Sequence, residues 1–440
     1  MNNKERLDLA QWATEYALTS GADEASVSIS NRREIEIEFR DKKLEKLKES
    51  TQNSLSLNIY AQNRYSGHST NDLRKDSLSK FIDEAVASTK YLTKDEYRSL
   101  PDPKYYPKKL EGDLKICDRS YDKIESANRV KMAAEIEAAA MAQSDQIIST
   151  TSGYSDVYSE GVRIHSNGFQ GESEGTRFSA GAEVTVKGKE GDRPEDWYYA
   201  STRFHSDLPA PEILGEKAAK RALRKVGQDK IASGKYAMIV ENRAGGRLLY
   251  MFARPMSARA LQQKSSFLEG MLGQKIASEK FTVIDDPFLE KGMGSRFYDD
   301  EGLAAKKRIM IDKGVLRHYY VDDYYGRKLG MEPTTGGTSN LVFEYGTKSF
   351  EDMMKALKKG IVVTGFIGGN SNPTTGDFSF GITGLLVENG EIVQPINEMN
   401  ISGNAKEFWN RLVAMGNDPN PYSSWRIPSM FFEDVQFSGI

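Results

Sequence analysis

Lys235-Tyr236-Ala237-Met238-Ile239-Val240-Glu241-Asn242-Arg243 leads into Ala244-Gly245-Gly246-Arg247-Leu248-Leu249-Tyr250-Met251-Phe252-Ala253-Arg254-Pro255-Met256, and the organisation of the chain follows from this stretch. Residues 236–240 form a short apolar strand, residues 241–243 a turn, and the rest has helical spacing. Leu248, Phe252 and Met256 recur every four residues, so they share one helical face, and that face reads as core. Gly245 and Gly246 fall in the first turn, where a missing Cβ lets another segment approach closely. Pro255 has no N–H and clashes with the turn before it, so the helix kinks or ends there before residues 258–261 resume the pattern.

Beyond this stretch the chain is punctuated by glycine and rich in strands. Apolar runs at 281–284, 307–311, 315–321, 361–365, 378–380 and 385–387, and a last one near Val435, predict a curved, mainly antiparallel sheet structure. One helix, 350–359, interrupts it. Asp312-Lys313-Gly314 and Glu388-Asn389-Gly390 each separate two apolar runs, as hairpin turns do.

Before the stretch, helices and alternating strands mix. Leu9, Trp12, Ala13, Tyr16 and Ala17 mark an amphipathic helix that stops at Gly21. Ala25, Val27 and Ile29, then Ile35, Ile37 and Phe39, then Leu55, Leu57 and Ile59 alternate with polar residues, which predicts three half-buried strands in a meander. Asp76 is placed to cap a helix with Leu78, Phe81, Ile82, Ala85 and Val86 inward. An Ala-rich helix over 121–142 follows a Pro- and Tyr-rich loop, and Ser166-Asn167-Gly168 reads as a hairpin turn. Pro211 opens a last helix with Ala218, Ala222 and Val226 inward; Lys217, Lys220, Arg221, Arg224 and Lys225 read as its solvated face. The expectation is an α+β protein of two domains, a mixed helix and antiparallel-strand domain over 1–228 and a β-rich domain over 229–440. The break falls at Gly227-Gln228-Asp229.

Composition narrows the function classes. A chain of 440 residues exceeds what one core usually organises. A formal charge of −3 argues against a dedicated nucleic-acid binder, which needs a basic face. A single cysteine, Cys117, forms no internal disulfide, and the polar start Met1-Asn2-Asn3-Lys4-Glu5-Arg6 is unlike a signal peptide, so a reducing cytoplasm is the expected location. No window has the roughly 20 apolar residues that cross a bilayer.

The search for chemistry returns mostly structural readings. His68, His165, His205 and His318 lie far apart, without the HExxH or HExxxH spacing that sets two imidazoles and a base on one helix around zinc. Ser77-Leu78-Ser79-Lys80 matches SxxK without the companion motifs of that catalytic set. Nothing beside Cys117 lowers its pKa. Gly365-Phe366-Ile367-Gly368-Gly369-Asn370 follows a strand, but Pro373 and another strand come next instead of a helix, so a loop is expected and not a phosphate cradle. Asp285-Asp286 and Asp299-Asp300-Glu301 are candidates for a hard cation, with turn and capping roles the simpler reading.

Longer motifs carry more. Residues 266–278 (SFLEGMLGQKIAS), Thr282-Val283-Ile284-Asp285-Asp286, Asp299-Asp300-Glu301-Gly302 and Arg327-Lys328-Leu329-Gly330 occur in one order with the Gly-rich run. Thr375-Gly376-Asp377-Phe378-Ser379-Phe380-Gly381, Val387-Glu388-Asn389-Gly390-Glu391-Ile392 and Ile401-Ser402-Gly403-Asn404 complete the series. Together they resemble the C-terminal domain of the TldD/PmbA family. The resemblance implies a cytoplasmic peptidase system in which a TldD-type subunit holds zinc on an HExxxH motif and a distal cysteine, and a TldE/PmbA-type subunit lacks them. Family members act on peptides and carry an older label as modulators of DNA gyrase.

In an ungapped register the two histidines and the glutamate of that motif fall on Leu249, Arg254 and Tyr250. Leucine has no lone pair, arginine stays protonated and tyrosine is no carboxylate base. Where the active subunit has its cysteine, this chain has Tyr422-Ser423-Ser424-Trp425. The resemblance therefore implies a non-catalytic subunit with no catalytic residue, metal or cofactor of its own. Zinc is expected only in a TldD-type partner, with a homodimer or that partner as the assembly and an extended peptide as substrate. A stand-alone hydrolase using another metal at the acidic turns, and a regulatory protein binding gyrase, are the two alternatives.

Overall fold

The computed structural model describes residues 1–109, 112–189 and 191–439. Its first half contains α1 (Asn3–Thr19), β1 (Glu24–Arg40), β2 (Lys43–Ala61), β3 (Arg64–Thr70), α2 (Lys75–Thr89), α3 (Ser126–Met141), β4 (Ile147–His165), β5 (Gln170–Val186), β6 (Glu195–Thr202) and α4 (Pro211–Leu223). The strands form one antiparallel sheet in the order β3-β2-β1-β4-β5-β6. Val27, Ile29, Leu57 and Ile59 pack under α1 and α2, while Ile35, Ile37, Phe178 and Val184 pack under α3 and α4. All four helices thus cover one face, and the other face is left polar.

Several expectations are corrected here. The two runs at 25–29 and 35–39 are one strand of 17 residues, not two. Asn31-Arg32-Arg33 has no glycine or proline to reverse the chain and keeps the odd positions on one face, so pairing continues through Asn31↔Asn53 and Arg33↔Thr51. Asp76 is not a cap; it lies in the first turn of α2, whose N-cap is Arg74. α3 starts at Ser126, after a separate 3₁₀ turn over Tyr121–Lys123. The hairpin at Ser166-Asn167-Gly168 is present, with Gly168 at φ 104°, where a side chain would be strained.

The second half contains β7 (Gly234–Val240), α5 (Gly246–Ala253), α6 (Ala258–Gln262), β8 (Val283–Asp285), β9 (Arg308–Asp312), β10 (Val315–Leu316), α7 (Asp323–Leu329) and β11 (Leu341–Phe343). It continues with α8 (Phe350–Lys355), β12 (Lys359–Ser371), β13 (Asp377–Glu388), β14 (Glu391–Asn404), α9 (Ala405–Trp409), β15 (Leu412–Met415) and β16 (Met430–Ser438). The main sheet has the order β14-β13-β12-β7-β16-β15, and Ile401↔Phe437 closes it by joining β14 to β16. Pairing is antiparallel except between β12 and β7. The fold is α+β with a barrel-like C-terminal sheet. Runs 378–380 and 385–387 belong to the single strand β13, and α7 and α9, too short for a periodic signal, add to the one helix expected.

α5 enters the barrel's core as its spacing requires. Leu248, Phe252 and Met256 are buried, and Phe252 sits 5.3 Å from Trp409 and 5.9 Å from Phe281 between ring centroids. At Gly245 a Cβ would stand 2.8 Å from Ile427 and 2.9 Å from Met430, so the glycine is needed for close approach; at Gly246 the space is open. The helix ends at Ala253, two residues before Pro255.

The basic stripe of α4 is not a solvated face. Lys217 and Lys220 alone stay exposed, the first beside the Tyr198 ring and the second pairing with Glu216. Arg221 and Arg224 donate to Glu241 at 2.8 and 2.6 Å, and Arg221 and Lys225 reach Asp196 at 3.3 and 3.2 Å. Glu241 directly follows β7, so this network ties the two halves together. Burial alone would raise the Glu241 carboxyl, but Arg221 and Arg224 overcome it and hold it below the usual carboxylate range. Glu241→Gln, which leaves two guanidinium groups without their carboxylate, is expected to lower stability by about 3–5 kcal/mol. Urea unfolding checks this, and a midpoint equal to wild type would show that the network contributes nothing.

Candidate functional site

The positions singled out on α5 separate in space. Leu249 is buried, 5% exposed, whereas Tyr250 is 60% exposed and Arg254 is also exposed. Leu249 lines a cavity of about 20 Å³ with Phe252, Met256, Ile311, Leu341 and Trp425, closed by further apolar residues and by Tyr320 and Thr338. A space of that size holds at most about one water, and apolar walls keep it dry. Zinc needs imidazole, thiolate or carboxylate donors, and these walls have none, so the cavity does not fit the ion. Among the described residues, no three His, Cys, Asp or Glu side chains group as a metal site.

Trp425 brings the second sequence-selected stretch to the same place. Leu341 N–H donates to the Ser424 carbonyl at 2.9 Å, and Trp425 Nε1 reaches Thr338 Oγ1 at 3.5 Å, which pins the segment over α5. Its other side faces the first half. Tyr422, Ser423 and Ser424 line a separate cavity of about 540 Å³ against the helix-free face of the six-stranded sheet, with Ser155, Ser159, Arg177 and Ser179 opposite. A larger cleft, about 830 Å³, lies between the halves beside the Glu241 network and is lined by Arg193, Arg243, Arg247 and Trp197 among others. Arg177 and Ser179 carried no signal as a motif; only the strand parity that puts them on the helix-free face pointed there.

The remaining candidates are structural. His68 Nε2 meets Ser66 Oγ at 2.7 Å, and His165 Nδ1 meets the Tyr106 hydroxyl at 3.0 Å beside the Phe169 ring. His205 packs against Tyr154 and Phe178, and His318 donates to the Ile309 carbonyl. Burial, with Glu174 alongside, pushes the Cys117 thiol up to about 12, so it is no ready nucleophile. The Gly-rich run is not a loop but part of β12, with a bulge at Gly368 and Gly369. Both residues turn their carbonyls to Arg247, at 3.2 and 2.7 Å, which is the reverse of an anion cradle.

The acidic pairs serve the backbone. Asp285 accepts from the Ser339 amide at 3.0 Å, Asp286 from the Phe288 amide at 3.0 Å, and Asp299 from the Glu301 and Leu303 amides at 2.9 and 3.0 Å. Glu301 accepts from the Asp323 amide at 2.8 Å. Burial, and then the carboxylates of Asp299, Asp322 and Asp323, push Glu301 up to about 8.

Comparison with known proteins agrees with this geometry along the whole chain. Residues 25–89, 119–226 and 233–439 match the family descriptions "PmbA/TldA metallopeptidase domain 1", "central domain" and "C-terminal domain". The chain is 30% identical over 434 residues to Metalloprotease PmbA of Escherichia coli O157:H7, covering 97% of this chain and 95% of that one. A crystal structure from Bacteroides thetaiotaomicron, of a protein designated a candidate modulator of DNA gyrase, superposes with TM-score 0.97 at 43% identity over all of both chains. TldE from Thermococcus kodakarensis shares the fold, with TM-score 0.87 at 21% identity over 98% of this chain and 100% of that one. No helix among the described residues is long and apolar enough to cross a membrane.

Two outcomes follow from the site. Leu249→His places a polar ring in the dry cavity and is expected to cost about 2–5 kcal/mol, read as a lower urea midpoint; an unchanged midpoint would mean the cavity opens freely to water. For Glu301 the folded pKa lies above the unfolded value of 4.5, so its contribution to stability is full below pH 4.5 and is lost as pH rises towards about 8. Melting temperatures measured across that window should fall less steeply for Glu301→Gln than for the wild type, and parallel curves would contradict the assignment.

Proposed function

This chain belongs to the PmbA/TldD metallopeptidase family, and we propose that within it the chain is a TldE/PmbA-type subunit without a catalytic metal of its own. It assists a zinc-bearing TldD-type partner in cutting unfolded or small extended peptides. The carrying observation is the α5 core: Leu249 packs against Trp425 in a dry apolar cavity, where the family resemblance puts metal ligands. The same family has a second branch of relatives, such as the Metalloprotease TldD homolog of Buchnera aphidicola, 28% identical over 217 residues, 46% of this chain and 45% of that one. The partner's chemistry belongs to the partner. What this chain contributes is surface, two clefts of peptide-accommodating size and a closed barrel that holds α5 rigid.

The Bacteroides neighbour's designation favours a second reading, a regulatory protein that binds DNA gyrase. One set of mixing experiments separates the two. With a TldD-type partner at fixed concentration, hydrolysis of an unfolded peptide should rise as this chain is added and saturate at equal stoichiometry, while folded proteins stay intact. The chain purified alone should hold well under one zinc per chain by elemental analysis and keep its melting temperature in chelator. A partner that is fully active alone and does not co-elute with this chain sinks the subunit reading; co-elution with gyrase then supports the other.

A further inference from the structure

The charges around the 540 Å³ cavity do not cancel. Arg32, Arg177 and Arg203 line it, and the only carboxylate there among the described residues, Glu34, is already taken by Arg32 at 3.1 Å. Among the described residues Arg177 reaches only Ser201 Oγ, at 3.4 Å. Arg203 donates to three backbone carbonyls, those of Gly292 at 3.2 Å, Thr176 at 3.0 Å and Met293 at 2.6 Å. Neutral carbonyls orient a guanidinium without compensating its charge. A guanidinium has five N–H donors, so Arg203 keeps two unused. The buried Arg6 and Arg129 and the part-buried Arg221 and Arg224 each have a carboxylate partner. Burial first, and the charge of Arg177 second, lower Arg203 to about 10, the signature of a cation lacking a counter-charge.

The surroundings suit an anion. Ser155 and Ser179 face each other across β4 and β5, and Ser423 and Ser424 add hydroxyls from the opposite wall. Gly175 lies beside this guanidinium, an added Cβ there standing 3.4 Å from Arg203 Nη1. The volume exceeds a lone small ion and matches pockets that enclose a whole small ligand. Planar guanidinium groups recognise carboxylate and phosphate alike through paired N–H donors.

We propose that this cavity binds a ligand through an oxyanion, a carboxylate or a phosphate, held by Arg177 and Arg203 with the hydroxyls of Ser155, Ser179 and Ser423. The site stands on its own charges and does not depend on a zinc-bearing partner. Calorimetric titration of the full chain with three probes tests it: inorganic phosphate, a short unfolded peptide with a free C-terminal carboxylate, and the same peptide amidated. Phosphate or the free acid should bind, with affinity falling as salt rises. Arg177→Gln should weaken binding more than tenfold and Arg177→Lys should restore part of it. Arg177 is exposed and holds no other element, so these variants fold even if an Arg203 variant does not. Arg259→Gln, the same charge change at an exposed position outside both clefts, should leave binding intact. Binding by the free acid but not the amide identifies a carboxylate ligand, and binding by phosphate alone identifies a phosphate ligand. The proposal is overturned if neither anion binds, if the amide binds as well as the acid with no phosphate binding, or if Arg177→Gln and Arg259→Gln weaken binding equally.

Discussion

Glu241 sits where the apolar strand β7 ends and the turn into α5 begins, and it is buried between two arginines that belong to the other half of the chain. A carboxylate withdrawn from water must be paired, and here the partners come from a helix of a different sheet layer. The pair therefore acts as a geometric constraint more than as a source of stability. It fixes the distance from α4 to β7, and through β7 the barrel, α5 and everything mounted on them. Arg221 adds a donor to the Thr364 carbonyl on β12, so one side chain touches three elements.

With that distance set, the segment Tyr422–Trp425 becomes a partition between two environments. Trp425 closes a dry cavity over α5, while Tyr422 packs partly against the first half's core and Ser423 and Ser424 turn to a wet, cationic space. The two sides obey opposite rules. In the dry cavity any polar group would lack partners. On the other side, unpaired guanidinium groups stay charged because solvent, or a bound anion, has room to reach them.

Much of this was legible in the sequence where periodicity is strong. The core face of α5, the helix opened by Pro211, the three hairpin turns and the antiparallel character of both halves follow from spacing and turn chemistry. The errors share a cause. Reading Ala25–Ile29 and Ile35–Phe39 as separate strands ignored that parity runs unbroken through Asn31-Arg32-Arg33, where Asn31 and Arg33 keep to the face of Ile29 and Ile35 and Arg32 to the helix-free face. Reading Arg221, Arg224 and Lys225 as solvated treated a helix as if nothing but water lay beyond it. Local sequence reports which face is charged but not what that face meets, and Glu241, seventeen residues or more away in sequence, was the missing term. For the same reason the family motifs located Leu249 and Trp425 separately but not their meeting in one cavity.

A sheet clothed with helices on one face only must do something with the other. Here the uncovered face is polar along β1, β4 and β5, so it gains nothing from apolar cover, and the barrel half touches it at the margins: Arg203 on Gly292 and Met293, Tyr298 on the Glu172 carbonyl, Arg243 on the Tyr199 carbonyl. These contacts leave a chamber of about 540 Å³ between the halves. The barrel and the Glu241 network hold its walls apart, and the side chains left inside include hydroxyls and two arginines, Arg177 and Arg203, with no carboxylate partner among the described residues. The space between the halves is thus a consequence of how each half satisfies its own core, and it is the part of the molecule with binding capacity to spare.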